Sequence, residues 1–275
     1  MMTTCQNVVA STFQSPLLSD IHDYLLSVEL ELSTRPLYLE VRQPHITAKM
    51  RSILVNWIVL IHYKHHLEPE TLHLAVNIMD RYLAENEITK DKLQLLGATC
   101  LLIASKFIDA RNPITVSMMV YFCDGICTAN DIIEMELHLL IMLDYRISAP
   151  NSRSFLSIYL NSCQDDECIV DVSHYIVDAI LVSYHLLDYR PSEIACAALF
   201  LARKSKGLVP WTEDLTRSTS YGEEDILPVA RCVFNFELDR RRAEDCAEQI
   251  RSVDVGCGVV LGRSLLGAID SANIT

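Results

Sequence analysis

Two charged residues, Arg51 and Asp80, stand at positions where the helical period of the surrounding sequence calls for apolar side chains. Arg51 shares a helical face with Val55, and Asp80 shares one with Leu83. Burying either charge alone would be strongly unfavourable. We therefore expect these two side chains to meet as an ion pair in the protein core, which is a structural role.

A second pair of charges, Lys106 and Glu136, also interrupts apolar stretches on two different predicted helices. Lys106 follows Leu102 and Ile103, and Glu136 precedes Leu140 by one helical turn. The two side chains could pair with each other, or they could jointly present hydrogen-bond donors and acceptors to a partner. Buried ion pairs often have no role beyond geometry. The residues alone therefore leave both interpretations open.

An apolar row at helical spacing forms a further candidate site, with two neighbours from a later helix. Such a row is usually buried core. It contains a tryptophan, however, and a large aromatic with a polar group is also suited to a peptide-binding groove. The residues of this candidate docking patch are Met50, Ile53, Leu54, Trp57, Leu93 and Gln94.

Motifs of enzymatic chemistry are missing from the sequence. It contains no glycine-rich phosphate loop, HExxH, GxSxG or kinase catalytic-loop pattern. We expect no metal or cofactor, because neither close cysteine pair has a matching pair at zinc-site spacing and the histidine group lies at the polar end of a helix. These candidate ligands are Cys123 with Cys127, Cys163 with Cys168, and the group His62, His65 and His66.

Composition favours a helical protein that binds other proteins. Hydrophobic residues make up 50% of the 275 residues, whereas only 8 Gly and 9 Pro are present, which favours long helices with few turns. The net charge of −13 disfavours nucleic acid as the main partner. Residues 1–19 lack a signal-peptide pattern, and no segment has the ~18 apolar residues of a membrane span. We expect an intracellular protein without membrane association.

The hydrophobic period predicts an N-terminal helix from Asp20 followed by a linker to residue 46. Five helices follow, with Thr47 capping the first, Pro69 in the first turn of the second, Thr89 opening the third, Thr115 beginning the fourth and Asn130 capping the fifth. After Pro150 the pattern predicts helices over 152–160, 168–187, 192–206, 212–220 and 223–250.

The two most apolar predicted helices match each other along their length. Residues 97–106 (GATCLLIASK) and 195–204 (ACAALFLARK) share small residues first and large aliphatics later. The match indicates a duplicated helical unit. We expect an irregular segment over 1–19, a helix and linker over 20–46, helical units over 47–149 and 150–251, and an unstructured tail over 252–275.

Three segments of the first unit resemble the cyclin box of A/B-type, G2/mitotic cyclins. They are residues 50–58 (MRSILVNWI), 70–83 (ETLHLAVNIMDRYL) and 92–107 (KLQLLGATCLLIASKF). Similarity continues at residues 20–25, 135–136, 191–195 and 211–212 and covers about residues 20–240 in order. The resemblance implies an all-α fold of two tandem five-helix cyclin boxes after a short N-terminal helix.

The resemblance also implies a regulatory subunit, not an enzyme, that activates a cyclin-dependent protein kinase at G2/M in the nucleus and cytoplasm. It assigns Arg51 and Asp80 to an internal ion pair. It assigns the six residues of the docking patch to binding of Arg-x-Leu peptides in substrates or inhibitors. The implied kinase contacts are Lys106, Glu136, Phe107, Ile103, Leu140, Tyr145, Ile147, Ile21 and Tyr24.

The sequence departs from the family at several of these sites. Asn56 replaces a usual Asp, and Ile108-Asp109 replaces a Glu-Glu pair. Leu60 stands where A-type members carry an acidic partner for the peptide arginine, so we expect docking mainly by apolar fit. Two alternatives stay open: a cyclin-box protein that binds a kinase without activating it, and a transcription-type factor that grips DNA.

Overall fold

The computed structural model describes residues 16–32, 37–161, 163 and 165–251, with the side chains of residues 16–17 and 242–251 left out. Every regular element in these residues is helical. The chain forms two compact units. The N-terminal unit comprises Tyr24–Ser154 and Leu181–Pro191. The C-terminal unit comprises the described residues of Met1–Asp23, Phe155–Ile180 and Ser192–Thr275.

Seven α-helices precede residue 150 in the described part of the chain. They are α1 (Pro16–Leu32), α2 (Tyr38–Arg42), α3 (Ala48–His65), α4 (Pro69–Glu85), α5 (Leu93–Ile108), α6 (Val116–Phe122) and α7 (Ala129–Met142). A 3-10 turn over Lys90–Lys92 leads into α5. The five helices from α3 to α7 are the predicted five-helix unit.

Predicted helix starts are confirmed where the sequence offers a clear cap. The Thr47 hydroxyl accepts a hydrogen bond from the Met50 amide, and the Thr115 hydroxyl accepts one from Met118. Pro69 occupies the first turn of α4, where its missing amide proton has no consequence. The threonine hydroxyls and the proline ring therefore fix where these three helices begin.

Other predicted boundaries were wrong. Helix α1 begins at Pro16 instead of Asp20, and α2 lies in the predicted linker. Asn130 does not cap α7. Thr128 does, because it has an extended backbone and forms a reciprocal capping box with Asp131.

Helix α5 lies at the centre of the N-terminal unit. It packs against α3, α4, α6 and α7, and each residue from 96 to 105 is buried. Gly97 permits the close approach of α3, because a Cβ atom built on it would lie 2.7 Å from Leu54 Cδ1. The all-round apolar sequence of this helix is thus explained by its contact with four neighbours.

The second half of the chain contains five more helices. They are α8 (Ser152–Asn161), α9 (Glu167–Ala179), α10 (Pro191–Ser205), α11 (Glu213–Thr219) and α12 (Glu223–Arg251). Helix α10 is buried through its small-residue segment, as α5 is. Trp211 packs in the C-terminal unit and donates a hydrogen bond from its indole nitrogen to the Tyr221 carbonyl at 3.0 Å.

The predicted helix over 168–187 is interrupted. Helix α9 ends at Ala179, and 3-10 turns follow over Ile180–Val182 and His185–Asp188. The Arg51 guanidinium donates to the carbonyl of Leu181 at 3.0 Å, and the Ser52 hydroxyl donates to that of Val182 at 2.9 Å. Residues distant in sequence thus take over carbonyls that a continued helix would have used.

Segment Leu181–Pro191 folds as part of the N-terminal unit, although it lies within the predicted second unit. The Tyr184 hydroxyl donates to Glu40 at 2.8 Å and accepts from the Leu39 amide at 2.9 Å. The predicted tail over 252–275 lies outside the described residues. Among the described helices, none is long and apolar enough to cross a bilayer.

Candidate protein-binding surfaces

Arg51 and Asp80 form a buried ion pair in the N-terminal unit. The Arg51 Nε and Nη2 atoms lie 2.7 Å and 2.6 Å from the two Asp80 oxygens, and the side chains are 0% and 1% exposed. The Tyr38 hydroxyl donates a third hydrogen bond to Asp80 at 2.7 Å. With no exposed face, this cluster holds α2, α3 and α4 together and offers nothing to a partner.

Electrostatics of this cluster keep the Arg51 guanidinium protonated. Burial lowers the pKa of the Arg51 guanidinium, but the charge and hydrogen bonds of Asp80 outweigh burial and raise it overall. Burial first, and the Asp80 charge second, raise the pKa of Tyr38. Tyr38 therefore remains a neutral hydroxyl donor to the carboxylate.

Lys106 and Glu136 also meet, but they do so at the surface. The Lys106 Nζ atom lies 2.6 Å and 2.8 Å from the two Glu136 oxygens, and the side chains are 44% and 17% exposed. Helix α5 provides the lysine at its last turn, and α7 provides the glutamate. The pair thus bridges two helices while keeping an open side.

Large apolar side chains around this pair are exposed. Phe107 and Ile108 extend the end of α5 into solvent. Only Ile132 and Leu139 of α7 are buried, so most of its apolar residues face outward. Exposed apolar side chains on one helix face are suited to association with another protein. The exposed apolar residues of α7 are Ile133, Leu137, Ile141 and Met142.

These α7 residues were absent from the predicted contacts. Their signal was present in the sequence, because α7 carries apolar residues on more faces than one helix stripe against a core requires. We name the exposed surface of Lys106, Phe107, Ile108, Ile133, Glu136, Leu137, Ile141 and Tyr145 the α5/α7 surface.

Tyr145 extends this surface beyond the end of α7. The Tyr145 amide donates to the Leu140 carbonyl at 2.9 Å, which closes the helix with a Schellman turn. Asp144 and Tyr145 both have positive φ angles, of 50° and 55°. This turn directs the Tyr145 side chain into solvent.

Other predicted kinase contacts are placed differently. Ile103 is only 3% exposed and belongs to the core of the N-terminal unit, so it adds little exposed area to the predicted kinase contact. Leu140 and Ile147 are half-buried and pack on the same core. Ile21 and Tyr24 on α1 are exposed.

Only some residues of the predicted docking patch reach the protein surface. Ile53 is 61% exposed, while Met50, Trp57 and Gln94 are half-buried. Leu54 and Leu93 are buried, because Leu54 fills the space above Gly97 and both belong to the core cluster. These two residues shape the patch from below and do not line its surface.

Asp109, one of the two residues that replace the Glu-Glu pair of the family, makes hydrogen bonds within the protein. Its carboxylate accepts hydrogen bonds from the Glu68 amide at 3.0 Å and from the Thr71 hydroxyl at 2.5 Å. Both donors lie at the start of α4, so Asp109 caps that helix from the end of α5. The neighbouring Ile108 side chain remains exposed.

No cluster of three or more potential metal ligands occurs among the side chains that the structure describes. Cys123 and Cys127 are both buried, and burial, reinforced by Cys127, raises the pKa of Cys123 to about 12. Burial also raises the pKa of Cys163 to about 12. These thiols are protonated at neutral pH, and a protonated thiol is a poor metal ligand.

The chain thus combines two helical units with a half-exposed ion pair that lies among exposed apolar side chains. The first unit matches the model of the cyclin N-terminal domain over residues 20–148, and the second matches that of the cyclin C-terminal domain over residues 150–252. The chain therefore belongs to the cyclin family.

Curated relatives include the G2/mitotic-specific cyclin-B of Spisula solidissima, which is 37% identical over 82% of this chain and 54% of its own length. The G2/mitotic-specific cyclin cdc13 of Schizosaccharomyces pombe is 36% identical over 79% of this chain and 45% of its own. The chain thus spans about half the length of these relatives.

A solved structure, that of a viral cyclin from herpesvirus saimiri, has the same fold. It superimposes with a TM-score of 0.68 at 27% sequence identity. The match covers 78% of this chain and 94% of the viral cyclin.

Proposed function

We propose that this chain is a regulatory subunit that binds and activates a cyclin-dependent serine/threonine protein kinase. The observation that carries the proposal is the Lys106–Glu136 pair, which lies half-exposed within the apolar α5/α7 surface. Relatives at 36–37% identity are named as G2/mitotic cyclins. We extend the proposal to control of G2/M progression in the nucleus and cytoplasm.

The α5/α7 surface supplies position and not catalysis. Its exposed apolar side chains provide area to bury against a kinase helix, at roughly 25 cal/mol per Å². The Lys106 ammonium has three donor protons, and the Glu136 carboxylate has further lone pairs, so each can bond to a partner without releasing the other. Binding would favour the active arrangement of the kinase by population shift.

The test is reconstitution with purified mitotic-type kinases. We expect a stable complex and a large rise in histone phosphorylation. Lys106→Ala and Glu136→Ala should each weaken kinase binding by ~2–5 kcal/mol if the contact is desolvated in the complex, while helical circular dichroism is unchanged. Arg217→Ala is the matched control, because Arg217 forms an exposed ion pair with Asp214 on α11.

The outcome of this reconstitution distinguishes an activating subunit from a subunit that binds a kinase without activating it. A stable complex without phosphorylation would refute activation and favour the non-activating alternative, for which exposed Ile108 is the motivating departure. Absence of any complex would refute both. A loss of helicity in the Lys106→Ala chain would show that the pair serves the fold. The net charge of −13 weighs against the DNA-gripping alternative.

We propose further that the docking patch recruits substrates or inhibitors through short peptides. Exposed Ile53 with half-buried Met50 and Trp57 supports this role, because these side chains can receive an apolar residue such as the leucine of an Arg-x-Leu peptide. Ile53→Ala should lower phosphorylation of a substrate that carries a docking peptide. Phosphorylation of a short substrate without one should stay the same.

A further inference from the structure

The outward face of α3 continues well past the docking patch. Residues spaced by three, four and seven positions share this face, and each is exposed or half-buried. Leu60 is 69% exposed and follows Ile53 by two turns. Together they form what we call the α3 face, which consists of Lys49, Met50, Ile53, Asn56, Trp57, Leu60, Tyr63 and Lys64.

The α3 face carries no negative charge of its own. The chain holds 36 Asp and Glu residues and a net charge of −13, yet the 18 residues of α3 include neither type. Lys64 lies in its last turn, together with His62 and His65. Beside the patch, Asp91 is flanked by Lys90 and Lys92 in the turn that precedes α5. The apolar row therefore lies between two positive charges, Lys49 at its start and Lys64 at its end.

Lys64 is held in place by aromatic side chains of α6. Its Nζ atom lies 5.3 Å from the centre of the Phe122 ring and 6.0 Å from that of Tyr121. Cation–π contacts of this length favour the ammonium over the ring faces. These contacts restrict the motion of the Lys64 side chain, so its ammonium stays near the end of the apolar row.

We propose that the α3 face binds peptides in which an acidic residue lies a few positions away from an apolar one, and that it disfavours peptides with arginine at that position. The inference deepens the docking role proposed above and rests on it. Lys64 lies seven residues beyond Trp57 and eleven beyond Ile53, which is about 10 to 16 Å along the helix. An extended peptide covers this distance in about three to five residues.

Charge selection follows from what an incoming side chain would meet. A carboxylate at that spacing meets the Lys64 ammonium over its aromatic support. An arginine meets the same ammonium and no carboxylate of α3. An exposed ion pair contributes little by itself. The two peptides differ by more than one such pair, because the glutamate is attracted to Lys64 whereas the arginine is repelled by it. We expect a preference of roughly fivefold at low ionic strength, and a smaller one in high salt.

The experiment measures fluorescence anisotropy of two labelled peptides on the purified full chain. Both peptides carry the same leucine, and at four residues to either side of it one has glutamate and the other has arginine. The glutamate peptide should bind more tightly. Lys64→Glu should reverse the order, and Leu60→Glu should bring the arginine peptide to at least equal affinity. Arg217→Glu is the control for the change of charge, and it should leave the order as it is.

Equal binding of the two peptides, or no binding of either, would overturn the inference. So would a preference that Lys64→Glu leaves unchanged. Kinase activation is measured in parallel with a short substrate that lacks a docking peptide. If kinase activation is normal but the two peptides bind equally, only the docking inference is refuted and the proposed kinase role stands. Charge selection without activation refutes the proposed kinase role and leaves the docking inference standing.

Discussion

Replacing Arg51 with methionine tests the buried ion pair most directly. The change removes two charge-assisted hydrogen bonds of 2.7 Å and 2.6 Å from Asp80 and leaves that carboxylate, 1% exposed, with only the Tyr38 hydroxyl. Breaking a buried pair from one side costs about 3–5 kcal/mol. A whole domain is stable by about 5–15 kcal/mol. The N-terminal unit should therefore lose about a fifth or more of its stability.

The chain offers a convenient assay, because it contains two tryptophans and each unit has one. In a Trp211→Phe background, Trp57 fluorescence follows urea unfolding of the N-terminal unit alone. Arg51→Met should lower the free energy of unfolding by about 3–5 kcal/mol. The double variant Arg51→Met/Asp80→Leu should be more stable than the single one, since it leaves no unpaired buried charge.

Arg146→Met provides the comparison, because Arg146 and its partner Glu31 are both largely exposed and lie in the same unit as Arg51. That change should cost less than about 1 kcal/mol. The reasoning fails if Arg51→Met costs no more than this control. It also fails if the Arg51 and Asp80 substitutions add independently, since a coupled pair must show an interaction energy in the double-mutant cycle.

Three further predictions concern single side chains. Gly97→Ala should destabilise the N-terminal unit in urea, since its Cβ would lie 2.7 Å from Leu54 Cδ1, yet in a Leu54→Ala background it should stabilise by ~1 kcal/mol. Iodoacetamide at pH 8 should label exposed Cys232 well before buried Cys123 in the native chain, and equal labelling rates would contradict the burial of Cys123. The folded pKa of Cys123, about 12, exceeds its unfolded value. Cys123 therefore stabilises the folded state below pH 9, and this contribution is lost as the pH rises toward 12. Burial lowers the pKa of His22, so its stabilising contribution is present above pH 6.5 and is lost as pH falls; thermal unfolding should shift to lower temperature between pH 7 and pH 5, and less so in His22→Phe.

Local signals allowed much of the fold to be predicted from the sequence. Thr47 and Thr115 start helices because their hydroxyls bond to amides three residues ahead, which neighbouring residues alone determine. Asn130 was mistaken for a cap because it is a good cap residue in general. Thr128 has both the extended backbone and a partner in Asp131, and a search for the capping-box spacing would have found it.

Tertiary contacts explain what could not be predicted. The break after Ala179 depends on Arg51, which lies about 130 residues earlier, so no local window contains its cause. For the surfaces, periodicity singled out Lys106 and Glu136 but could not tell whether they pair or how much of the two side chains solvent reaches. The burial of Ile103 could not be predicted for a similar reason, because adjacent positions on α5 differ in which neighbour covers them.

The bond from Arg51 to the Leu181 carbonyl has a consequence for how the protein is made. A ribosome releases residues 24–154 well before 181–191, so the N-terminal unit meets its last structural segment late in translation. Until then the guanidinium has its carboxylate partner but lacks these carbonyl acceptors. A recombinant fragment that stops at residue 154 would remain in this unfinished state, and one that extends to residue 191 would supply the missing segment.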